Sequence, residues 1–184
     1  MKNAFFIKHE KMEHLKYPQG KFEYGKTYTS ADNQKHIAII EKFPSELNTL
    51  VHSLRPEQLE KSYRPDGWNA KQIINHIADS HMYAMIRLKL ALTEDSPTIK
   101  PYQQDLWANL EDGKNTPIQT SLNIIEGVHQ RMSILLKSLT DIDLQRKYIH
   151  PEYNKEFKLD EMLALYAWHG RQHYEHLKII KNLQ

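Results

Sequence analysis

His169-Gly170-Arg171-Gln172-His173 sets two histidines four residues apart near the end of the chain. They belong to a longer run, Leu159, Met162, Tyr166, His169, His173, Leu177 and Ile180, whose steps are all threes and fours. That spacing describes one stripe of an α-helix. Residues four apart are offset by only about 40° around a helix axis, so both imidazoles point the same way. They stand where a core-facing helix carries aliphatic side chains. One imidazole there reads as a core histidine with a hydrogen-bond partner. Two at this spacing read as half of a metal site in a helical bundle.

The same periodicity recurs three more times upstream. Ile37, Ile40, Leu47, Leu50, Val51 and Leu54 form the face of a first helix that begins after Ser30 as N-cap, with a kink expected at Pro44. The second helix follows a turn at Arg64-Pro65-Asp66-Gly67. Asn69 caps it, Gln72 completes a capping box, and Trp68 is placed to staple onto Ile73. Its apolar face is Ala70, Ile74, Ile77, Met85, Leu88 and Leu92. Thr116-Pro117-Ile118-Gln119 opens the third helix, with Thr116 as N-cap, Pro117 at the first helical position and Gln119 in the capping-box place. Leu122, Ile125, Val128, Met132, Leu135, Leu136 and Leu139 form its face. The fourth helix runs from about Leu159 to Asn182.

Thr93–Asn115 is long enough to cross over between the second and third helices, with a short helix within Gln103–Leu110. Arg146–Phe157 reads as a small irregular hairpin, and Tyr17–Thr29 as an extended arm packed on the body. Residues Met1–Lys16 read as a loosely ordered extension, and 17–184 as a single domain. The fold class is all-α, a four-helix bundle.

At 184 residues and 40% hydrophobic content the chain can bury one substantial core. The net charge of +2 and the scattered lysines give no support for nucleic-acid binding. The absence of cysteine excludes disulfides, Cys-ligated zinc, iron–sulfur clusters and a protein thiol nucleophile. No apolar run approaches the roughly 18 residues of a membrane span. Ala4-Phe5-Phe6-Ile7 is shorter than a signal core of about 7–15 residues, so a cytoplasmic protein is expected.

A catalytic zinc-type site needs three protein ligands and one open position. The second helix offers His76 and His81 as the third ligand. His76 follows Ile73 by three and precedes Ser80 by four and Tyr83 by seven, on a stripe bordering the apolar face. His81 continues Ile74–Ile77 toward Met85, and spacing leaves both open. There is no H-E-x-x-H, so the built-in glutamate base of that motif is absent. Asp79, three residues after His76, is the nearest carboxylate in sequence. It is a candidate to orient an imidazole or act as base, against the plainer reading of a solvated helix charge. Glu175 lies off the histidine stripe. Trp107, Trp168 and Tyr102 read as packing residues that wall a pocket. His9, His14, His36, His52 and His129 read as surface or satisfied core histidines, and His150 has no evident partner.

Asp66-Gly67-Trp68, the run Gln72 to Met82, the run Arg87 to Glu94, and Tyr166-Ala167-Trp168-His169 with His173 resemble the DinB/YfiT-like superfamily, most closely its YfiT-type branch of metal-dependent hydrolases. The likeness extends from about Tyr17, where Tyr17-Pro18-Gln19-Gly20-Lys21 matches the family's arm, to Ile180. It implies a bundle of up-down-down-up topology and a homodimer acting on a small-molecule substrate. It also implies a divalent metal, zinc first and nickel second, held by His76, His169 and His173, which decides against His81. Some relatives carry paired histidines where this chain has Asn75-His76. A metal on three neutral imidazoles keeps its full charge and can polarise a substrate oxygen or hold a thiolate. The resemblance thus implies a hydrolase. The alternatives are a thiol S-transferase using a low-molecular-weight thiol of the bacillithiol type, and a non-catalytic, stress-associated metal-binding bundle.

Overall fold

The computed structural model describes residues 12–184. The expectation of a loose N-terminal extension lies, for residues 1–11, outside the described residues; residues 12–16 are helical. Four long helices make the body: α1 (Ser30–His52), α2 (Ala70–Thr93), α3 (Ile118–Lys137) and α4 (Leu159–Lys181). α1 continues through Pro44 as one element. Two strands, β1 (Lys147–His150) and β2 (Lys155–Lys158), pair antiparallel before α4, which is the expected hairpin.

The caps explain where the helices begin. α2 starts as its sequence indicates, with the Asn69 side chain and Gln72 satisfying each other's backbone N–H groups. α1 is capped one residue earlier than expected. The Thr29 hydroxyl accepts from the Asp32 N–H while Asp32 accepts from the Thr29 N–H. Ser30 is thereby freed to donate to Asp141. At α3 the expected capping box does not form: Pro117 takes the cap position and makes no side-chain cap. Thr116 is occupied in closing the preceding short helix Glu111–Asn115, its N–H bonded to the Asp112 carbonyl, and Gln119 donates to Asn123 instead.

The order of the helices around the bundle follows from which side chains meet. Glu46 pairs with Arg171 and Gln58 bonds the carbonyls of Ile180 and Lys181, so α1 and α4 run parallel side by side. Ser121 bonds Asn75 and His129 meets His81, so α2 and α3 are also parallel neighbours. His76 meets His169 whereas Arg87 meets Tyr166, which sets α2 antiparallel to α4. Ser30 meets Asp141 while Glu41 meets Lys137, which sets α1 antiparallel to α3. The result is the up-down-down-up arrangement. A parallel α2–α3 pair obliges the chain to travel back along the 24 residues of α2, about 36 Å. The crossover does this with two short helices, Gln104–Trp107 and Glu111–Asn115. Gly113 lets them touch, since a Cβ there would lie 2.7 Å from the Trp107 carbonyl oxygen.

The core divides into two apolar halves. One is built around Leu88, Met132, Tyr148, Leu159 and Met162, the other around Phe43, Leu47, Ile73, Ile77, Leu177 and Ile180. Each fully buried aliphatic side chain contributes about 1.5–3 kcal/mol. Between the halves three of the four long helices change character at one level. His81 falls between Ala78 and Ala84, His129 between Ile125 and Met132, and His169 and His173 between Ala167 and Leu177. A polar layer inside a core costs stability unless its hydrogen bonds are complete. Gly170 belongs to this level as well. A Cβ at that position would press to 3.1 Å from the Phe43 ring, so glycine beside His169 lets α1 and α4 approach closely. No helix among the described residues is long and apolar enough to cross a membrane.

Candidate metal centre

His76, His169 and His173 converge. One ring nitrogen from each lies within 4.8 Å of the others, with α2 supplying one imidazole and α4 two. The Nε2 atoms of His76 and His169 are 3.2 Å apart. Two nitrogens bound to one zinc-like ion at 2.0–2.1 Å in tetrahedral geometry would be separated by about 3.3 Å. The donor set therefore fits a divalent ion. Burial pushes all three imidazoles down, with neighbouring histidines adding to the effect: His169 to about 4, His76 and His173 well below their usual range. All three are neutral at pH 7, the form that ligates.

Two hydrogen-bond relays lead away from this centre, and each ends on a main-chain carbonyl. The first runs from His169 Nδ1 to His81 Nε2 (3.1 Å), from His81 Nδ1 to His129 Nε2 (2.6 Å), and from His129 Nδ1 to the Ile40 carbonyl (2.7 Å). A carbonyl only accepts, so His129 carries its proton on Nδ1. Neutral His129 then offers a bare Nε2, and His81 must donate to it from Nδ1. His81 in turn presents a bare Nε2, and His169 must donate from Nδ1. The last lone pair, His169 Nε2, is left free toward His76 and His173.

The second relay is shorter. The Lys16 carbonyl accepts from His176 Nε2 (3.1 Å), and His176 Nδ1 accepts from His173 Nδ1 (3.3 Å). The Gln172 amide donates to the same Lys16 oxygen, which brings it 3.4 Å from His176 Nε2. His173 is thereby left with Nε2 as its bare nitrogen. Two carbonyls, one in α1 and one on Lys16 just before the arm, thus dictate the tautomers of both α4 imidazoles. Stacking holds the relay rings in place. Phe43 stacks on His81, and Tyr63 lies 3.9 Å from His176, centroid to centroid.

The arm is part of the site. Gln19 N–H donates to Gln172, Trp168 Nε1 donates to the Gly20 carbonyl, and Gly25 N–H donates to the buried Glu161. His169, His173 and Trp68 open onto a cavity of about 960 Å³ that runs along α2 and α4 toward the hairpin. Trp168 and Tyr102 line it, as expected, whereas Trp107 packs behind against Tyr83 and Tyr102.

The other sequence candidates fall elsewhere. Asp79 makes no hydrogen bond to an imidazole and faces Asp112 rather than the cavity; burial first, then Asp112, raises its carboxyl to about 6. The raised value means that Asp79 costs stability as pH climbs from 3.8 through 6 and the carboxyl ionises in the folded state. Asp79→Asn is therefore expected to stabilise the fold at pH 7 by about 1 kcal/mol, discounted for partial exposure, with the gain vanishing below about pH 4. Urea titrations of both proteins at the two pH values check this. Glu175 pairs with Lys178 on the surface. Asn75 bonds the Gly113 carbonyl and Ser121, tying the crossover and α3 to α2 beside His76. His81 lies one imidazole behind His169 rather than at the centre. His129 and His176 are the residues that sequence reading passed over. The signal for His129 was its place three before Met132 and four after Ile125; for His176, its place three after His173.

Comparison with known proteins agrees with this geometry. Residues 39–177 match the model of the DinB superfamily. A protein of Bacillus mycoides named "Putative metal-dependent hydrolase" is 43% identical over 92% of this chain and 97% of its own length. One of the same description from Oceanobacillus iheyensis is 44% identical over 88% and 93%. The solved structure of YfiT from Bacillus subtilis, described as a "probable metal-dependent hydrolase with an unusual four-helix bundle topology", superposes with a TM-score of 0.88. It is 35% identical and covers 91% of this chain and 95% of its own. With that topology and those relatives, the chain belongs to the DinB superfamily, on its YfiT-like branch.

Proposed function

We propose that the protein is a metal-dependent hydrolase whose divalent ion, zinc first and nickel second, is held by His76, His169 and His173. The observation that carries this reading is the three-nitrogen cluster opening onto the cavity with no fourth His, Asp or Glu in the group among the described residues. A structural site is closed by a fourth protein ligand; a catalytic one keeps a position free. When bound, such an ion supplies Lewis-acid polarisation of a substrate oxygen and acidification of water. The chain's own contribution is to hold three neutral imidazoles, with the tautomers of His169 and His173 fixed by the relays. Without the ion, His76 Nε2–H can donate across 3.2 Å to the bare His169 Nε2; neutral His76 ligates through Nε2 once that proton sits on its own Nδ1. Tyr166, packed beside His169 and raised above its ordinary range mainly by burial, remains a neutral phenol. The substrate is a small molecule, and the subunit arrangement proposed with it is a homodimer, read by light scattering.

Metal analysis of the native protein, then turnover assays on esters, amides and thiol-plus-electrophile pairs, tests this function. Hydrolysis that needs the ion and no added thiol supports it. Turnover only with a small thiol, whose product carries that thiol, assigns the transferase. Bound ion with neither activity assigns a non-catalytic bundle.

The relays give a further expected result. Removing the outer hydrogen-bond partner of a metal-binding histidine costs about 10–100-fold in affinity. His129→Leu removes the acceptor that orients His81, and zinc affinity should fall within that range although residue 129 never approaches the ion. His129→Gln, which keeps an acceptor facing His81, should restore most of it. Nitrogen-15 spectra of the metal-free protein should find the proton of His169 and of His173 on Nδ1. A proton on Nε2 of either would break the tautomer assignment.

A further inference from the structure

Arg87 is a buried cation without an anion. It is 8% exposed, its guanidinium lies over the Tyr83 ring, and Nη1 donates to the Tyr166 hydroxyl at 3.3 Å. Its buried Nε–H has no acceptor among the described residues, and no carboxylate lies within ion-pair distance of it there. The buried acids of α4 are committed elsewhere: Asp160 accepts from Gln145, and Glu161 accepts from the arm's Gly25 N–H. An unpaired guanidinium inside a protein is expensive. Its unused edge is a planar fork that suits a carboxylate or phosphate.

A second orphan lines the same cavity. His150, from β1, is also 8% exposed, and its Nδ1 has no partner among the described residues. Burial and then the Arg87 charge lower its pKa, so it is neutral and can donate one N–H beside the guanidinium without adding a second cation. The two unsatisfied groups come from different elements, α2 and the hairpin, and meet on one cavity wall.

The placement relative to the three histidines is set by helix geometry. His76, Ser80, Tyr83 and Arg87 are spaced four, three and four, so one stripe of α2 runs from the metal-binding imidazole to the guanidinium. Arg87 reaches Tyr166, and Tyr166 precedes His169 by one turn of α4. The side chain of Arg87 leans back toward the start of α2. The guanidinium therefore stands on the order of 10 Å from the histidine centre.

We propose that Arg87 and His150 form the anion-binding end of the cavity. The substrate is then an elongated small molecule with a carboxylate or phosphate at one end and the reacting group at the other. The reacting end of this assignment rests on the three-histidine centre proposed above; the anion end does not.

The test uses metal-free full-length protein. Inorganic phosphate and succinate are titrated separately while the arginine Nε–H resonances are followed. Saturable movement of the Arg87 signal, with a dissociation constant on the order of 1 mM, is expected for at least one of them and absent in Arg87→Gln. Phosphate alone or succinate alone names the oxyanion; both name the shared chemistry. His150→Gln should weaken the same titration. Zinc affinity of Arg87→Gln should fall less than that of His129→Leu, since Arg87 bonds no relay ring and reaches His169 only through the Tyr166 ring. A linear drift of Arg87 no different from that of exposed arginines would overturn the proposal. Saturation without any zinc binding would retain the anion site and remove the metal centre, so the two failures are told apart.

Discussion

His173→Ala is expected to weaken zinc binding by more than about 100-fold, exceeding the 10–100-fold loss that follows removal of an outer partner alone. The bundle should remain folded. His173, like His169, is both a ligand and the head of a relay, so its loss removes a ligand nitrogen and leaves His176 donating to Lys16 with nothing donating to it. The two imidazoles left would hold an ion with too few protein ligands for a catalytic site. The fold has other support. Leu177 and Ile180 on the same helix stay in their apolar half, although the stack of the His173 ring on Trp68 is lost. Calorimetric zinc titration beside circular dichroism reads the two quantities separately. Unchanged affinity with an intact helix signal would mean that the ion binds elsewhere. His81→Phe is an informative companion. It keeps an aromatic ring against Phe43 but ends the longer relay at His169, so affinity should fall less than in His173→Ala and by an amount similar to His129→Leu.

The sequence carried the four helices because each has an apolar stripe and a start signal written locally. It carried the metal stripe because four-residue spacing on a helix is itself geometry. It placed Thr116 wrongly because a cap is shared property: that residue was needed to end one short helix and could not also begin the next. It left His76 and His81 undecided on spacing, since both border the core face of α2. What separates them is the rotation of α2 against α4, which depends on contacts such as Asn75 with Ser121 and Gly170 with Phe43, residues far apart in the chain. Asp79 drew attention as a nearby carboxylate. The groups that hold the outer nitrogens are instead other histidines, and a chain of imidazoles ending on a carbonyl leaves no short motif. Nothing in local sequence announces that the Lys16 carbonyl serves the site, because any residue has a carbonyl. Only the docked arm brings it there.

Metal-free protein is expected to unfold in a steep transition between about pH 4 and 6.5, the window set by its buried histidines. His129 and His176 are 2% and 3% exposed, and burial lowers each from 6.5 to about 4. His169 is lowered to about 4 as well, and His76, His81 and His173 lie well below their ordinary value. With the folded pKa below the unfolded one, the unfolded chain binds more protons throughout this window. The stability contributed by neutral burial is complete above 6.5 and is lost as pH falls toward 4. Each of the three groups near 4 accounts for about 3 kcal/mol by linkage. A domain has only about 5–15 kcal/mol in total, so protonating two or three is enough to unfold it. The relays sharpen the transition. An imidazolium has two donors and no acceptor, so a charged His81 would turn a donor on Nε2 toward the donor on His169. One protonation therefore weakens the bonds that keep the next ring neutral. Asp79 opposes this by about 1 kcal/mol as it takes up its proton below about 6, too little to compensate. Zinc competes with protons for the same nitrogens, so the midpoint of the zinc-loaded protein should move to lower pH, and that movement should vanish in His173→Ala. Circular dichroism against pH, with and without zinc, measures both. A zinc-independent transition confined below about pH 4 would place acid sensitivity on carboxylates and remove the histidine layer as its cause.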